Sequence, residues 1–532
     1  MDTTTTINCP SSPFRKLLPE LFPVVAGHLP LYATPATLLS LALTNHDIHN
    51  IVYPLLCSRV ILRNEDDALN FLQMILIDGH LGTAIRELHI MSGLSKATRS
   101  GERPFDVVKV VEMVITRGSL PHIHTFSLHL LATWVWDNDY VSGHGKLSAR
   151  FWRELPSKCP RLRGITVRGM GDKNEPWLNE SGIYELNGMR EMSHLGFTFY
   201  RGFQSQKDGG VRLMASIRHV SSSLRTLVLG LNYESCSPLL SLDFPRLTSL
   251  TLLRSSCSDD CVPAAMAFWR RHSSLEGLKL SDSLSDSLWF DETTRPGILP
   301  NLRHLEANFK NVYAIAPILR QLIGLSIQQS VNGQILYLLR RSMIPGGLPN
   351  LRSLEFQQYP YSGRYLSHYE GSMWYETPDG EEKFHLSRES EGVGRSIDND
   401  YLRTIARQTP NLEEIAIQAT FPNISSLIPS LTRFRCLERL YCRGTWSTAD
   451  NIYDASEPTE ADLAAFFTEA RLLAEGCKSL KLITDMSLAT SYPTVKIRRS
   501  QDGLVKDVKI SDGYGRLIGH EDDPFPLPDT RW

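Results

Sequence analysis

Along most of this chain the apolar residues fall into one phrase, apolar-x-x-apolar-x-apolar, set just after a turn. It reads Ile85-Leu88-Ile90, Ile123-Phe126-Leu128, Leu162-Ile165-Val167 and Met192-Leu195-Phe197, then Leu224-Leu227-Leu229, Leu247-Leu250-Leu252, Leu275-Leu278-Leu280 and Leu302-Leu305-Ala307. It continues through Leu322-Leu325-Ile327, Leu351-Leu354-Phe356, Leu412-Ile415-Ile417 and Leu437-Leu440-Cys442, with Leu480-Ile483 a degraded last copy. Five copies begin on a proline phrase: Cys159-Pro160-Arg161-Leu162, Phe244-Pro245-Arg246-Leu247, Leu299-Pro300-Asn301-Leu302, Leu348-Pro349-Asn350-Leu351 and Thr409-Pro410-Asn411-Leu412. Alternation with period two makes a strand with one buried face, and the earlier apolar residue packs the turn leading into it. The proline stops the preceding helix and forces a turn. One such unit cannot hide its apolar side, so neighbours must stack, and a central spacing of about 20–30 residues is that of leucine-rich repeats. Helical patterns fit between strands at residues 105–118 and 263–272.

Residues 15–62 follow a different rhythm. Leu17-Leu18-Pro19-Glu20-Leu21 opens an apolar segment that ends at His28-Leu29-Pro30. Thr34 reads as an N-cap with Pro35 at the first helical position, ahead of Leu38, Leu39, Leu41 and Leu43. Ile48, Ile51, Val52, Leu55 and Leu56 mark a third helix. Helices this short bury little alone and need packing on their own chain or on a partner. Asn64 opens a further helix, with Asp67 as a capping-box variant, Leu69, Leu72 and Ile75 as its buried stripe and Gly79 as its terminator.

The widest gap between repeats, 359–400, carries Tyr361, Tyr365, Tyr369, Trp374, Tyr375 and Phe384. Pro378-Asp379-Gly380 between residues 373–377 and 382–386 signals a hairpin, serving either to cap the solenoid or to recognise a partner. A second hairpin signal, 494–499 and 504–510 around Gln501-Asp502-Gly503, follows a capping helix at 459–476 that bears Leu463, Phe466, Phe467, Ala470 and Leu473. The tail from Glu521 is acidic and then Pro-rich, with Trp532 a possible anchor.

Composition narrows the function. Of 532 residues, 42% are hydrophobic and 21% charged, which excludes wholesale disorder. A net charge of -2 leaves no basic footprint for nucleic acid or an anionic membrane. No apolar run is long enough to span a bilayer, and the opening MDTTTTINCPSSP does not read as a signal peptide. The nine cysteines are scattered, Cys257 with Cys261 and Cys436 with Cys442 lacking the second ligand pair that zinc needs, and read as reduced thiols of a cytoplasmic or nuclear protein. His122-Ile123-His124 reads as a surface pair and Trp136-Asp137-Asn138-Asp139 as a turn; the Asn179 and Asn423 sequons have no bearing without secretion. Gly513-x-Gly515-x-x-x-Gly519 misses the dinucleotide fingerprint. No catalytic, metal or cofactor residues are expected, and the chain reads as a non-enzyme.

The helical start and the repeats together resemble the F-box proteins with leucine-rich repeats, particularly the divergent fungal kind. The resemblance rests on Leu17-Leu18-Pro19-Glu20-Leu21, Leu38-Leu39-Ser40-Leu41-Ala42-Leu43-Thr44, Val52-Tyr53-Pro54-Leu55-Leu56 and the closing Val60-Ile61-Leu62. Leu18 stands where the family pattern often has Pro, and Asn45-His46-Asp47-Ile48 replaces its Cys/Lys-Arg-Trp element. The resemblance implies an α/β fold: a three-helix F-box followed by an irregular leucine-rich-repeat solenoid, or horseshoe, with inserted hairpins. The expected divisions are a disordered 1–14, an F-box at 15–62, the solenoid at 63–485 with its insertion at 359–400, and a hairpin cap and tail at 486–532. It implies a substrate-recognition subunit of an SCF-type cullin ubiquitin ligase, docking a Skp-type adaptor through Leu18, Pro19, Leu21, Val25, Leu39 and Leu41, of which Leu39 and Leu41 read equally well as the module's own core. An unidentified target protein would be held on the concave strand positions, among them His304, Glu306, Asn308, Gln328, Glu355, Gln357, Glu414, Gln418, Arg439, Tyr441 and Arg443. The other reading of the same residues is a repeat scaffold that assembles no ligase.

Overall fold

A computed structural model of the chain describes residues 20–28, 34–62, 65–92, 107–130, 147–168, 191–198, 207–230, 236–253, 259–281, 288–291, 297–328, 347–357, 374–376, 383–385, 399–421, 424–444, 460–485 and 494–511, with a few isolated positions between them. The chain divides into two compact units, residues 1–195 and 196–526.

The first unit begins with three helices, α1 (Leu21–His28), α2 (Thr34–Ala42) and α3 (His46–Ser58). It continues as a parallel ladder, β1 (Arg59–Leu62), β2 (Glu87–Ser92), β3 (Thr125–Leu130) and β4 (Gly164–Arg168). Helices α4 (Glu65–Ile77), α5 (Gly79–Ala84), α6 (Val107–Thr116) and α7 (Ala149–Lys158) connect the strands, and β5 (His194–Thr198) lies across the division between the units. Two expectations change here. Val60-Ile61-Leu62 belongs by pairing to the ladder, where Val60 sits opposite Leu88 and Leu62 opposite Ile90. Gly79 opens α5 instead of terminating a helix, because Asp78 accepts a hydrogen bond from the His80 amide and caps a new start.

The second unit runs β6 (Thr226–Gly230), β7 (Ser249–Leu253), β8 (Gly277–Ser281), β9 (His304–Asn308), β10 (Gly324–Gln328) and β11 (Ser353–Gln357) in parallel. After the small antiparallel pair β12 (Trp374–Glu376) and β13 (Lys383–His385), the ladder resumes with β14 (Glu414–Phe421), β15 (Arg439–Gly444) and β16 (Leu482–Asp485). It ends in the antiparallel strands β17 (Thr494–Arg499) and β18 (Val505–Ser511). Its helices are α8 (Lys207–Val220), α9 (Ser237–Leu240), α10 (Val262–Arg271), α11 (Phe309–Ala314), α12 (Asn399–Gln408), α13 (Ile428–Leu431) and α14 (Glu460–Gly476).

Every copy of the apolar phrase lies at a strand, and all of its apolar residues are buried. The proline phrases close as turns: the amides of Leu162, Leu247, Leu302, Leu351 and Leu412 donate to the carbonyls of Cys159, Phe244, Leu299, Leu348 and Thr409, at 3.0–3.2 Å. Proline at the second turn position presets its φ there and spares an amide. Leu275 and Leu322 make the same turn without proline, onto His272 and Leu319. Phe268, Trp269, Trp289 and Phe290 fill the space behind the central strands of this unit, with the Trp269 indole donating to the Trp289 carbonyl at 3.0 Å. Both hairpin expectations are met at the level of strand pairing. The aromatic side chains of 359–400, the 1–14 segment and the tail from 512 lie outside the described residues, as do the Trp136–Asp139 turn, the Asn179 sequon and the Gly513–Gly519 run.

Candidate functional site

The helices α1 to α3 share a very small core. Phe22, Leu38, Ala42, Ile48 and Val52 are buried, with Ala26, Leu41, Ile51, Leu55 and Leu56 packed partly against them. The three- and four-residue spacings in each helix produce that face. Asn45 fixes where α3 starts, its side chain accepting from the Ile48 amide at 2.8 Å. The stretch that departs from the family pattern is therefore a helix cap.

Several large apolar side chains lie outside this core. Leu21, Val24 and Val25 on α1 are exposed; so are Leu39, Leu43 just after α2, and Tyr53 on α3, with Val24 at 55% and Leu43 at 77%. Among the expected adaptor contacts, Leu21, Val25 and Leu39 are thus available to a partner. Leu41 is partly buried and packs against the module's own core. The side chains of Leu18 and Pro19 lie outside the described residues. Val24, Leu43 and Tyr53 are not among the expected adaptor contacts. The Leu39/Leu43 spacing of four and the run of Leu21, Val24 and Val25 were the available signal.

The polar face of the second unit's sheet differs from the solvated surface that strand alternation suggests. Glu306, Asn308, Gln328, Glu355, Glu414 and Tyr441 are buried, His304 and Arg439 partly so, and the side chains of Gln357, Gln418 and Arg443 lie outside the described residues. Parallel register puts like positions side by side: Lys279, Glu306, Ser326 and Glu355 form one row, and His304, Gly324, Ser353, Glu414 and Arg439 the next. Neighbours then satisfy one another. Lys279 Nζ reaches Glu306 at 2.8 Å, and Gln328 donates to the same carboxylate. Ser326 donates to Glu355 at 3.0 Å, Ser353 to Glu414 at 3.0 Å, and Arg439 meets Glu414 at 3.5 Å. Burial of these carboxylates is tolerable because each is hydrogen-bonded.

The first unit carries a histidine-rich counterpart. His89 faces Glu87 at 3.7 Å, Arg59 meets Glu87 at 3.2 Å, and Thr166 Oγ1 is 2.7 Å from His194 Nε2. Burial, helped by Arg168 and His89, pulls His194 down to about 4, and burial takes His129 well below the ordinary histidine range. Among the described residues, no group of three or more His, Cys, Asp or Glu side chains is placed to hold a metal ion. His124 is exposed and His122 half-buried, with Ile123 buried between them. Burial pushes the thiol of Cys159 up to about 12 and that of Cys477 to about 11, so neither is ionised near neutrality. No described helix is long and apolar enough to cross a membrane.

Taken together these features define a repeat protein of α/β type, with a small helical module at its start. No family model matches the chain, and no curated protein does. Among solved structures, that of the Rad7 and Elc1 complex from yeast is similar at a TM-score of 0.39 and 14% identity, over 71% of this chain and 81% of that chain. A likeness this distant bears on neither activity nor partner.

Proposed function

We propose that the chain is a non-enzymatic recognition subunit that joins a ubiquitin ligase through α1 to α3, an F-box-like module, and holds a target protein elsewhere on its repeats. The observation that carries the reading is the apolar surface of Leu21, Val24, Val25, Leu39 and Leu43 around a core that, among the described residues, buries Phe22, Leu38, Ala42, Ile48 and Val52. Burying a leucine-sized side chain is worth about 1.5–3 kcal/mol, so a partner covering these positions gains most of what a stable docking contact needs. The partner fitting this surface and the sequence resemblance is a Skp-type adaptor within a cullin complex. Such a subunit works in the cytoplasm or the nucleus and needs no cofactor.

The test is co-expression with a Skp-type adaptor, followed by affinity capture and comparison of wild type with Leu21→Glu and Leu39→Glu. Both side chains are outside the module's core, so the variants should fold while losing the adaptor. If wild type captures no adaptor, the chain is a repeat scaffold outside the ligase system. The two departures from the family pattern, Leu18 and the Asn45 stretch, favour that second reading.

A further inference from the structure

The first unit gathers basic side chains where its strands begin. Arg86, His124 and Arg163 each stand one residue before a strand, β2, β3 and β4 in turn. The backbone sets them side by side: the His124 amide donates to the Arg86 carbonyl at 2.6 Å, and the Arg163 amide to the His124 carbonyl at 2.8 Å. Neighbouring strands lie about 4.8 Å apart, so the row spans about 10 Å. Arg161, in the proline turn ahead of β4, belongs to the same surface. The charges of Arg86, Arg161 and Arg163 all reach the His124 ring and, after burial, hold it below the ordinary histidine range. His124, Arg161 and Arg163 are exposed and Arg86 is half-buried. One guanidinium nitrogen of Arg86 donates to the carbonyls of Thr83 at 2.6 Å and Ile85 at 3.1 Å, which holds that side chain in place. Glu87, the acid whose charge reaches His124, is engaged by Arg59 at 3.2 Å, and Glu191 meets Arg163 at 2.9 Å. Among the described residues neither Arg86 nor Arg161 has a carboxylate partner.

We propose that this row binds an acidic segment of a target protein, whose carboxylates lie across Arg86, His124, Arg161 and Arg163. A guanidinium fork matches a carboxylate in shape and charge, and Arg163 already holds that of Glu191. The cations are spread along a row and do not converge on one point, so several separate anionic groups suit them better than a single phosphate. The inference deepens the reading of the repeats as a target-holding surface and rests on it for the class of partner. It is independent of what α1 to α3 dock.

The experiment uses the full chain and a fluorescein-labelled oligoglutamate of about eight residues, long enough to cross about 10 Å even as a helix, followed by anisotropy. Saturable binding is expected, weakening as salt rises from about 50 to about 300 mM because the charges are exposed. Arg161→Glu should lower affinity at least about tenfold with an unchanged circular dichroism spectrum. Glu191→Gln releases Arg163 and should tighten binding about two- to fivefold, the worth of one exposed ion pair. Lys506→Glu, at an exposed cation on β18, should change nothing. Bound peptide should also raise the midpoint of the His124 ring, followed by NMR on the signal missing from His124→Gln, because nearby carboxylates favour the charged form. Absence of saturable binding in a chain that still captures its adaptor overturns this proposal and leaves the reading of the helices standing. An equal loss on Lys506→Glu overturns it as well, since the attraction is then diffuse. So does displacement of the peptide by a single-stranded oligonucleotide of equal charge at lower concentration than by unlabelled oligoglutamate, which would assign the row to nucleic acid.

Discussion

Asn411 donates a hydrogen bond from its side-chain amide to the backbone carbonyl of Pro349, at 2.7 Å, across 62 residues of chain. The same position, just before the first leucine of the phrase, makes the same reach to the preceding repeat elsewhere. Ser274 bonds the Leu247 carbonyl, Asn301 that of Ser273, Gln321 that of Leu299 and Asn350 that of Arg320, all between 2.8 and 3.0 Å. These side chains stitch repeat to repeat at the turn, where the strand ladder has not yet begun.

Asn411 is the most consequential of these, because its repeat follows the long insertion. Asn411→Ala should lower stability by about 1 kcal/mol, the usual net value of one such hydrogen bond. Urea unfolding followed by tryptophan fluorescence measures this, and Asn411→Ser should recover part of the loss, as Ser274 does the same work naturally.

Arg499 closes the end of the second unit. Its guanidinium donates to the carbonyls of Ala474 at 2.7 Å, Cys477 at 3.0 Å and Leu480 at 3.3 Å, spanning the end of α14 and the turn into β16. Ala474 belongs to the last turn of α14, Cys477 and Leu480 to the turn that follows it, and a cation at a helix C-terminus is favoured by the helix dipole. Arg499→Ala should cost about 2–3 kcal/mol and raise amide exchange in α14 and β17 before the rest. Arg499→Lys should recover less than half, since one ammonium cannot span three acceptors.

Glu414 is buried between Ser353 and Arg439. Removing one partner of a buried pair leaves the other charge stranded, so Glu414→Leu should destabilise by about 3 kcal/mol. Glu414→Leu with Arg439→Leu should cost clearly less than the sum of the single changes. Additive single costs in a double-mutant cycle by urea denaturation would show that the 3.5 Å contact contributes nothing.

The buried histidines predict acid lability of the first unit. His194 is pulled down to about 4 in the folded chain, against an ordinary value near 6.5, first by burial and then by Arg168 and His89. Its depressed pKa means the folded state holds the neutral ring, so this contribution is complete above pH ~6.5 and is lost as pH falls toward about 4. His129 moves the same way, and Arg168 lies near both rings. The urea midpoint should fall steeply between pH 6.5 and 4.5, by on the order of 1.4 kcal/mol per pH unit for each histidine. His194→Gln, which can keep a hydrogen bond to Thr166, should flatten that slope; an unchanged slope would place the acid sensitivity elsewhere.

How much of this was legible beforehand varies by element. The strands at Leu278, Leu325 and Ile415 could be read directly, because a period-two apolar pattern after a turn leaves little else for the backbone to do. The end of the hairpin at Gly503 was equally plain, since its φ of 77° suits glycine. Gly79 misled, because glycine alone does not distinguish a stop from a start, and the deciding cap lay in Asp78. The burial of Glu306, Glu355 and Glu414 was hidden for a different reason. Alternation says which face a residue takes, and it says nothing of whether neighbours on that face cover it.

The sequence by itself determined the rungs: which residues form strands, where the turns fall and which side chains turn inward, because those follow from local geometry and apolar period. The tertiary structure alone decided what lies beside what. Registry across residues far apart in the chain paired Lys279 with Glu306, placed Asn411 on Pro349 and set Lys496 against Lys509. Packing left Leu43 in water while Leu41 came to rest partly buried against the core. Contacts between distant segments depend on loop lengths and stacking offsets that no local pattern encodes.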